Sequence, residues 1–398
     1  MGTDKLITTG LYLFSGLMTF SIVVASPVAQ TAQPELKLVH VVFRHGDRAP
    51  DSGELYPNDP HRNNPYYPMG LGGLTNAGKM REYRLGQLLR SRYDNLLGPI
   101  YEPRSVEARS TDYDRTKMSL QLVLSSLFAP SSVQLWNENL MWQPIPTTYK
   151  SPNEDILLIP EDCPKYQAEL RRVRNSSEVR EKESKFRSLM EYVQRWSGKS
   201  TNTTTDLYYF YHMLTTQAFM NLTLPEWTND IYPDGELLRG AALEYQIISY
   251  NEKLKRLNGG MLLRKITEDA VALRRETLPA GRKIYLYSGH ETNIGALLST
   301  LGLYEPHVPA YGSALIVEHW KQARNHFIKV IYYTGVPDKL VTKRITGCGD
   351  LCPLDRFLEL TKPVIPSDDE VFCVKESTCS VSRKLQSSSP VTNSEISR

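Results

Sequence analysis

No run of five to eight lysines and arginines occurs in this chain, and its 47 basic and 44 acidic side chains leave a formal net charge of only +3. A basic stripe able to neutralise a nucleic-acid backbone is missing, which argues against a nucleic-acid partner. Internal repeats are missing too, which excludes solenoid and propeller architectures. After the N-terminal segment there is no second apolar run long enough to cross a bilayer, so no stable membrane anchor is expected. Cysteine is scarce, with five residues at 163, 348, 352, 373 and 379. The Cys348/Cys352 spacing has neither a second close cysteine pair nor a histidine pair beside it, so no metal site is predicted. No cofactor is predicted either.

What is present begins with Lys5 and an uncharged apolar stretch from Leu6 to Val24, followed by the small residues Ala25 and Ser26. Residues 1–25 read as a signal peptide cleaved after Ala25. An uncleaved signal anchor is the competing reading, because the stretch could span a bilayer. Three sequons, at Asn175, Asn202 and Asn221, agree with passage through the secretory pathway and are the predicted glycosylation sites. In an oxidising compartment most of the cysteines should pair, and Cys348-Gly-Asp-Leu-Cys352 could close a short loop. Cys379 is the odd one. The Ser-, Lys- and Pro-containing tail over 380–398 reads as disordered.

With 398 residues, the chain suffices for one large domain with an insertion or for two domains. Val39, Val41, Val42 and Phe43 have the β-branched and aromatic bias of a buried strand, which ends in Arg44-His45-Gly46-Asp47-Arg48. Open α/β sheets build ligand sites at such carboxyl ends. A loop from Asp51 to Thr75 follows, then a helix carrying Met80, Leu85, Leu88 and Leu89 on one face. Val106 to Asp112 reads as a second strand with a polar end, and Arg115 to Phe128 as a helix. From Cys163 to Gly260 charged helical patterns dominate and no convincing strand occurs, so an α-helical insertion is expected. Strands return at 283–288, 313–319 and 327–333. If the strands are parallel neighbours, three polar clusters converge: Arg44 to Arg48, Arg109 to Asp112, and Ser288-Gly289-His290-Glu291.

Two guanidiniums around one imidazole suit a phosphate far better than a cation. Phosphoryl transfer needs neutralised phosphate oxygens, an in-line nucleophile and a proton for the leaving group. Arginine forks supply the first. Their charge also keeps a neighbouring histidine neutral and nucleophilic. A carboxylic acid held protonated would supply the proton. For Arg44 and Arg48 the bland alternative is an ion pair with Asp47; for His290 and Glu291 it is helix capping. Arg115 lies close to Arg109 and competes with it. Asn76 and Asn293 are candidates for added polar contacts. His40, His61, His212, His307, His319 and His326 lack a comparable context and read as structural or exposed.

Arg44-His-Gly-Asp-Arg-Ala-Pro50 matches an R-H-G-x-R-x-P motif. With Arg109-to-Thr116 and Ser288-to-Glu291 following in order, residues 37–375 resemble the histidine acid phosphatases of the prostatic, lysosomal and insect-venom type. The resemblance implies an α/β fold: a histidine-phosphatase (phosphoglycerate-mutase-like) core over 37–160 and 261–375 with an inserted α-helical cap over 161–260. It implies a secreted hydrolase of small or protein-borne phosphate monoesters, acting at acidic pH through a phosphohistidine, with a lysosomal destination as the alternative and a homodimer left open. Carried over by residue, His45 would be the nucleophile, Arg44, Arg48 and Arg109 would grip the phosphate, and His290 would bond to it. Glu291 would be the proton donor, where the family usually has Asp, and Asp47 is the substitute candidate. The implied bridges are Cys163–Cys373 and Cys348–Cys352. Competing functions are a phytate (inositol-polyphosphate) phosphatase, a mutase-like phosphotransferase, and a catalytically weak secreted binding protein or allergen on the same scaffold.

Overall fold

Strand β1 (Glu35–Arg44) runs parallel to β3 (Ile284–Gly289), pairing Val39 with Ile284 and Arg44 with Gly289. On the other side of β3 lies β2 (Val106–Ser110), also parallel, with Val106 opposite Ile284 and Ser110 opposite Ser288. The three charged strand ends therefore sit side by side, as anticipated. The sheet continues antiparallel through β4 (Ala314–Gln322), β5 (Asn325–Tyr333) and β6 (Leu340–Lys343), in the order β2-β3-β1-β4-β5-β6, and β7 (Cys352–Pro353) pairs with β5. The exposed β6 and two-residue β7 carry no apolar alternation and went unread in the sequence. The coordinates are a computed structural model that describes residues 1, 2 and 33–372. The expectations for the signal segment, Cys373, Cys379 and the tail lie outside the described residues.

Both faces of the sheet are covered, which is why its central strands read as continuous apolar runs rather than alternating ones. One face packs Val39, Val41, Phe43, Ala108 and Leu286 on helices α1 (Asn76–Leu97) and α2 (Asp114–Leu127). Thr75 caps α1 by accepting from Gly78 N, and Gly98 ends it at φ 77°. Met80, expected on the apolar face of α1, is exposed, and Glu82 is buried instead.

Between α2 and β3 no strand intervenes. Helices α3 (Pro164–Arg174), α4 (Ser177–Ser184), α5 (Arg187–Ser197), α6 (Thr204–Phe219), α7 (Glu236–Ile247) and α8 (Glu252–Leu257) occupy the part of that interval up to Leu257. They bury clusters of their own, one around Phe210, Met213 and Leu237 and one around Tyr166, Val179 and Ile247. A capping box between Thr203 and Asp206 starts α6. The other sheet face packs Leu38, Val42, Tyr285 and Leu315 on α9 (Gly259–Arg274), α10 (Glu291–Thr300) and α11 (Leu354–Thr361), and α12 (Asp368–Val371) follows. Cys348 and Cys352 form a disulfide with their Cα atoms 5.4 Å apart. Cys163 is also disulfide-bonded. Among the described residues no helix is long and apolar enough to cross a membrane.

Within that second core lies a polar chain: His319 Nε2 is 3.1 Å from His40 Nδ1, and His40 Nε2 is 2.9 Å from Asp269 Oδ2. Burial holds His319 well below the ordinary histidine range, with His40 and His326 adding to the effect. The unfolded chain protonates this imidazole below about pH 6.5 while the folded one does not, so stability must fall with pH there. His319→Gln should remove about 1.4 kcal/mol of that loss per pH unit below 6.5. Urea unfolding at pH 6.5 and 5.0 checks this, and equal pH slopes in both proteins would contradict it.

Candidate active site

The site loop leaves β1 at Arg44 and is pressed against the start of α1. A Cβ on Gly46 would lie 2.4 Å from Gly78 O, and one on Gly78 would lie 2.2 Å from Asp47 O. Two glycines back to back thus permit an approach that no other residue allows. Thr75 N–H donates to Asp47 O at 2.9 Å, tying the helix start to the loop.

His45 is 1% exposed. Its Nδ1 lies 2.8 Å from Gly46 O, an acceptor only, so Nδ1 carries the proton and Nε2 presents its lone pair. Arg115 Nε donates to that Nε2 at 3.2 Å. Burial holds the imidazole well below its ordinary value, and Arg115, Arg44, His290 and Arg48 push it further down. The site thus favours the neutral imidazole. The His290 ring stands edge-on with its centroid 5.5 Å away, and burial followed by Arg115 lowers it to about 3.

Arg44 is fixed on every side. Nη1 donates to Pro309 O at 2.7 Å, Nη2 lies 3.5 Å from His212 Nδ1, Nε is 3.0 Å from Glu291 Oε2, and the Tyr311 ring stacks at 4.0 Å. Arg48 makes a forked pair with Glu54, at 2.8 and 2.6 Å, and its buried Nε–H has no partner among the described groups. Asp47, the alternative partner and substitute acid, is instead committed to Arg81 through bonds of 2.6 and 3.1 Å.

Arg109 does not join the cluster. Along β2 the side chains of Val106, Ala108 and Ser110 share one buried face, and strand alternation turns Arg109 to the other, where it pairs with the fully buried Asp155. The third guanidinium at His45 belongs to Arg115, in the first turn of α2. The usable signal was that a residue just inside a helix start reaches over the preceding strand end, whereas one within the strand is bound by its pleat.

His290 N–H donates to Asn293 Oδ1 at 2.8 Å, so Asn293 closes the start of α10 and the His290 ring is left to face the site, 3.0 Å from Thr111 Oγ1. Glu291 opens that helix, 7% exposed. Burial would raise its carboxyl, but the Arg44 guanidinium beside it outweighs burial and holds it well below the carboxylate range. The resting group is ionised, not protonated as the sequence suggested. Tyr208 donates to Oε1, and His212 Nε2 lies 3.8 Å from the same oxygen. Neither residue was anticipated. Asn76 lines the adjoining cleft of about 820 Å³, with Tyr67, Leu71, Tyr113, Arg115 and Met118. Asn175, Asn202 and Asn221 are all exposed.

Known proteins resemble this chain over most of its length. The profile of the histidine phosphatase superfamily (branch 2) matches residues 35–333. The chain is 47% identical over 344 residues to venom acid phosphatase Acph-1 of Apis mellifera, covering 86% of this chain and 89% of that one. It is 33% identical over 346 residues to human prostatic acid phosphatase, covering 85% and 88%. A phytase structure from Citrobacter braakii superposes with a TM-score of 0.64 at 17% identity, covering 85% and 99%, a likeness of fold.

The two arginines should separate cleanly by experiment. Arg115→Ala should weaken orthophosphate binding roughly a hundredfold, since it removes a charge-assisted donor. Arg109→Ala should leave phosphate affinity unchanged but destabilise the fold by about 3 kcal/mol, because Asp155 is left buried and unpaired. Titration calorimetry and thermal unfolding read the two effects, and a reversed pattern would contradict the assignment.

Proposed function

Because this chain belongs to branch 2 of the histidine phosphatase superfamily, we propose that it hydrolyses phosphate monoesters at acidic pH through a phosphohistidine on His45. The observation that carries the reading is a buried, neutral imidazole whose Nε2 accepts from Arg115 while the charges of Arg44 and Arg48 also disfavour its protonation. Arg44, Arg48 and Arg115 would hold the phosphate oxygens, with the partnerless Nε–H of Arg48 supplying one ready donor. His290, neutral at working pH, adds a hydrogen bond rather than a charge.

In the first step Nε2 of His45 bonds to phosphorus and the ester P–O bond breaks. In the second, water attacks phosphorus, the P–N bond breaks, and His45 regains its lone pair. Glu291 moves the protons. A phosphate monoester loses its second proton near pH 6, so below that it arrives as a monoanion carrying one. The ionised Glu291 can take that proton and deliver it to the leaving oxygen, then accept one from the attacking water and pass it to the product phosphate, which restores the carboxylate. Acidity is then required by the substrate, and it is tolerated because His45 stays neutral.

The cleft supports small esters with apolar or aromatic leaving groups. Tyr67, Leu71, Tyr113 and Met118 furnish its apolar wall, while Lys79 and Arg115 are balanced by Asp51 and Asp114. That balance disfavours a polyanion such as phytate. Exposed sequons and the disulfides fit an exported protein. We treat helices α3 to α8 as the cap of a core built on the sheet.

Assay against a small aryl phosphate and phytate from pH 4 to 7 tests the reading. The aryl phosphate should be the better substrate, kcat/KM should fall as pH rises through about 6, and no loss should appear near pH 6.5 from His45 on the acid side. His45→Ala should abolish turnover. Equal activity of wild type and His45→Ala would contradict the mechanism, and no turnover by wild type would favour a silent scaffold.

A further inference from the structure

Glu291 reaches across the site to groups that the sheet does not carry. Its Oε1 accepts from the Tyr208 hydroxyl, on α6, and lies 3.8 Å from Nε2 of His212, one turn further along the same helix. His212 Nε2 is 3.2 Å from the Tyr245 hydroxyl on α7, and its Nδ1 is 3.5 Å from Arg44 Nη2. Since Arg44 can only donate, His212 Nδ1 accepts and Nε2 carries the proton. The tyrosine and histidine rings are packed edge to face, 4.5 Å between centroids for Tyr208 and His212 and 5.6 Å for Tyr208 and Tyr245. His212 is 1% exposed.

We propose that Tyr208 and His212 are positioning residues through which the helical segment aims the carboxyl of Glu291 at the leaving-group oxygen. The inference rests on Glu291 acting as the proton carrier of the reaction above. Its physical basis is a division of labour between the two carboxylate oxygens. Tyr208 occupies Oε1, and burial, reinforced by Glu291, keeps its hydroxyl protonated, so it remains a donor throughout. Oε2 faces Arg44 Nε at 3.0 Å, but that contact lacks hydrogen-bond alignment. Oε2 therefore keeps the lone pairs that can accept and release a proton.

The groups facing Glu291 come from every packed element: Arg44 from β1, His45 and His290 from the strand-end loops, Tyr208 and His212 from α6, and Tyr245 from α7. Glu161, on the short turn before α3, is pushed up to about 7, by burial first, so in acid it is protonated and adds no charge. A shorter acid at position 291 would stop short of Tyr208. The longer glutamate and the α6 pair thus make one unit, and the helical segment takes part in proton transfer without touching phosphate.

Leaving-group dependence tests this, because a merely structural defect slows all substrates alike. We compare kcat/KM for an alkyl phosphate, whose leaving oxygen needs a proton, with 4-nitrophenyl phosphate, whose leaving oxygen needs one far less. Tyr208→Phe should lower the alkyl value roughly tenfold more than the nitrophenyl value, in line with loss of a well-placed general acid. In Glu291→Asp and Glu291→Gln backgrounds the same substitution should change the alkyl-to-nitrophenyl ratio less than about twofold, since the partner is out of reach or the acid is gone. His212→Asn should act in the same direction as Tyr208→Phe. Thermal unfolding of each variant accounts for loss of fold. An equal effect of Tyr208→Phe in all three backgrounds, or none in the wild-type background, would overturn the proposal while leaving His45 chemistry intact. If Glu291→Gln itself spared alkyl phosphate turnover, the proton-carrier role would fall as well.

Discussion

A neutral imidazole surrounded by buried guanidinium groups is the constraint on which the rest of the structure depends. Three like charges crowded around His45 repel one another and resist desolvation, so each needs a partner outside the cluster. Glu54 takes Arg48, Glu291 and the Tyr311 ring take Arg44, and Asp51 lies 3.4 Å from Arg115. Three carboxylates thus balance the three guanidiniums.

The sheet supplies the precision. Arg44 is the last residue of β1, and its backbone N–H donates to Ser313 O at 2.9 Å, while His45 N–H donates to Gly289 O at 3.0 Å. His45 is thus pinned beside its two neighbouring strands, one residue beyond the carboxyl end of β1. The Gly46–Gly78 contact fixes the same loop from the α1 side. Glu291, at the start of α10, then couples this rigid floor to α6, so helices that bury separate clusters still share the reacting centre.

Much of this was legible in the sequence because it is local. The strand ending at Arg44, the order Arg44-His45-Gly46-Asp47-Arg48, and the His290-Glu291 pair each announce themselves within a few residues. Parallel pairing of β1, β2 and β3 then follows from buried apolar runs separated by helical stretches. The misses are of another kind. Arg109 and Arg115 differ only in whether the pleat of a strand or the first turn of a helix carries them, a boundary that apolar patterning does not resolve. His212 lies 168 residues from Arg44, and Tyr208 lies 83 from Glu291, so nothing local marks their meeting. The ionised state of Glu291 was equally hidden, because it depends on how Arg44 and His212 close around it.

The proposed chemistry depends on one covalent bond, between Nε2 of His45 and phosphorus. The most direct test mixes the protein with phosphorus-labelled aryl phosphate at acidic pH, quenches with alkali within milliseconds to preserve acid-labile P–N bonds, and maps the labelled peptide. Label is expected on the peptide containing His45, formed and lost at rates that match turnover. Turnover without a labelled peptide, or label on another residue, would contradict it.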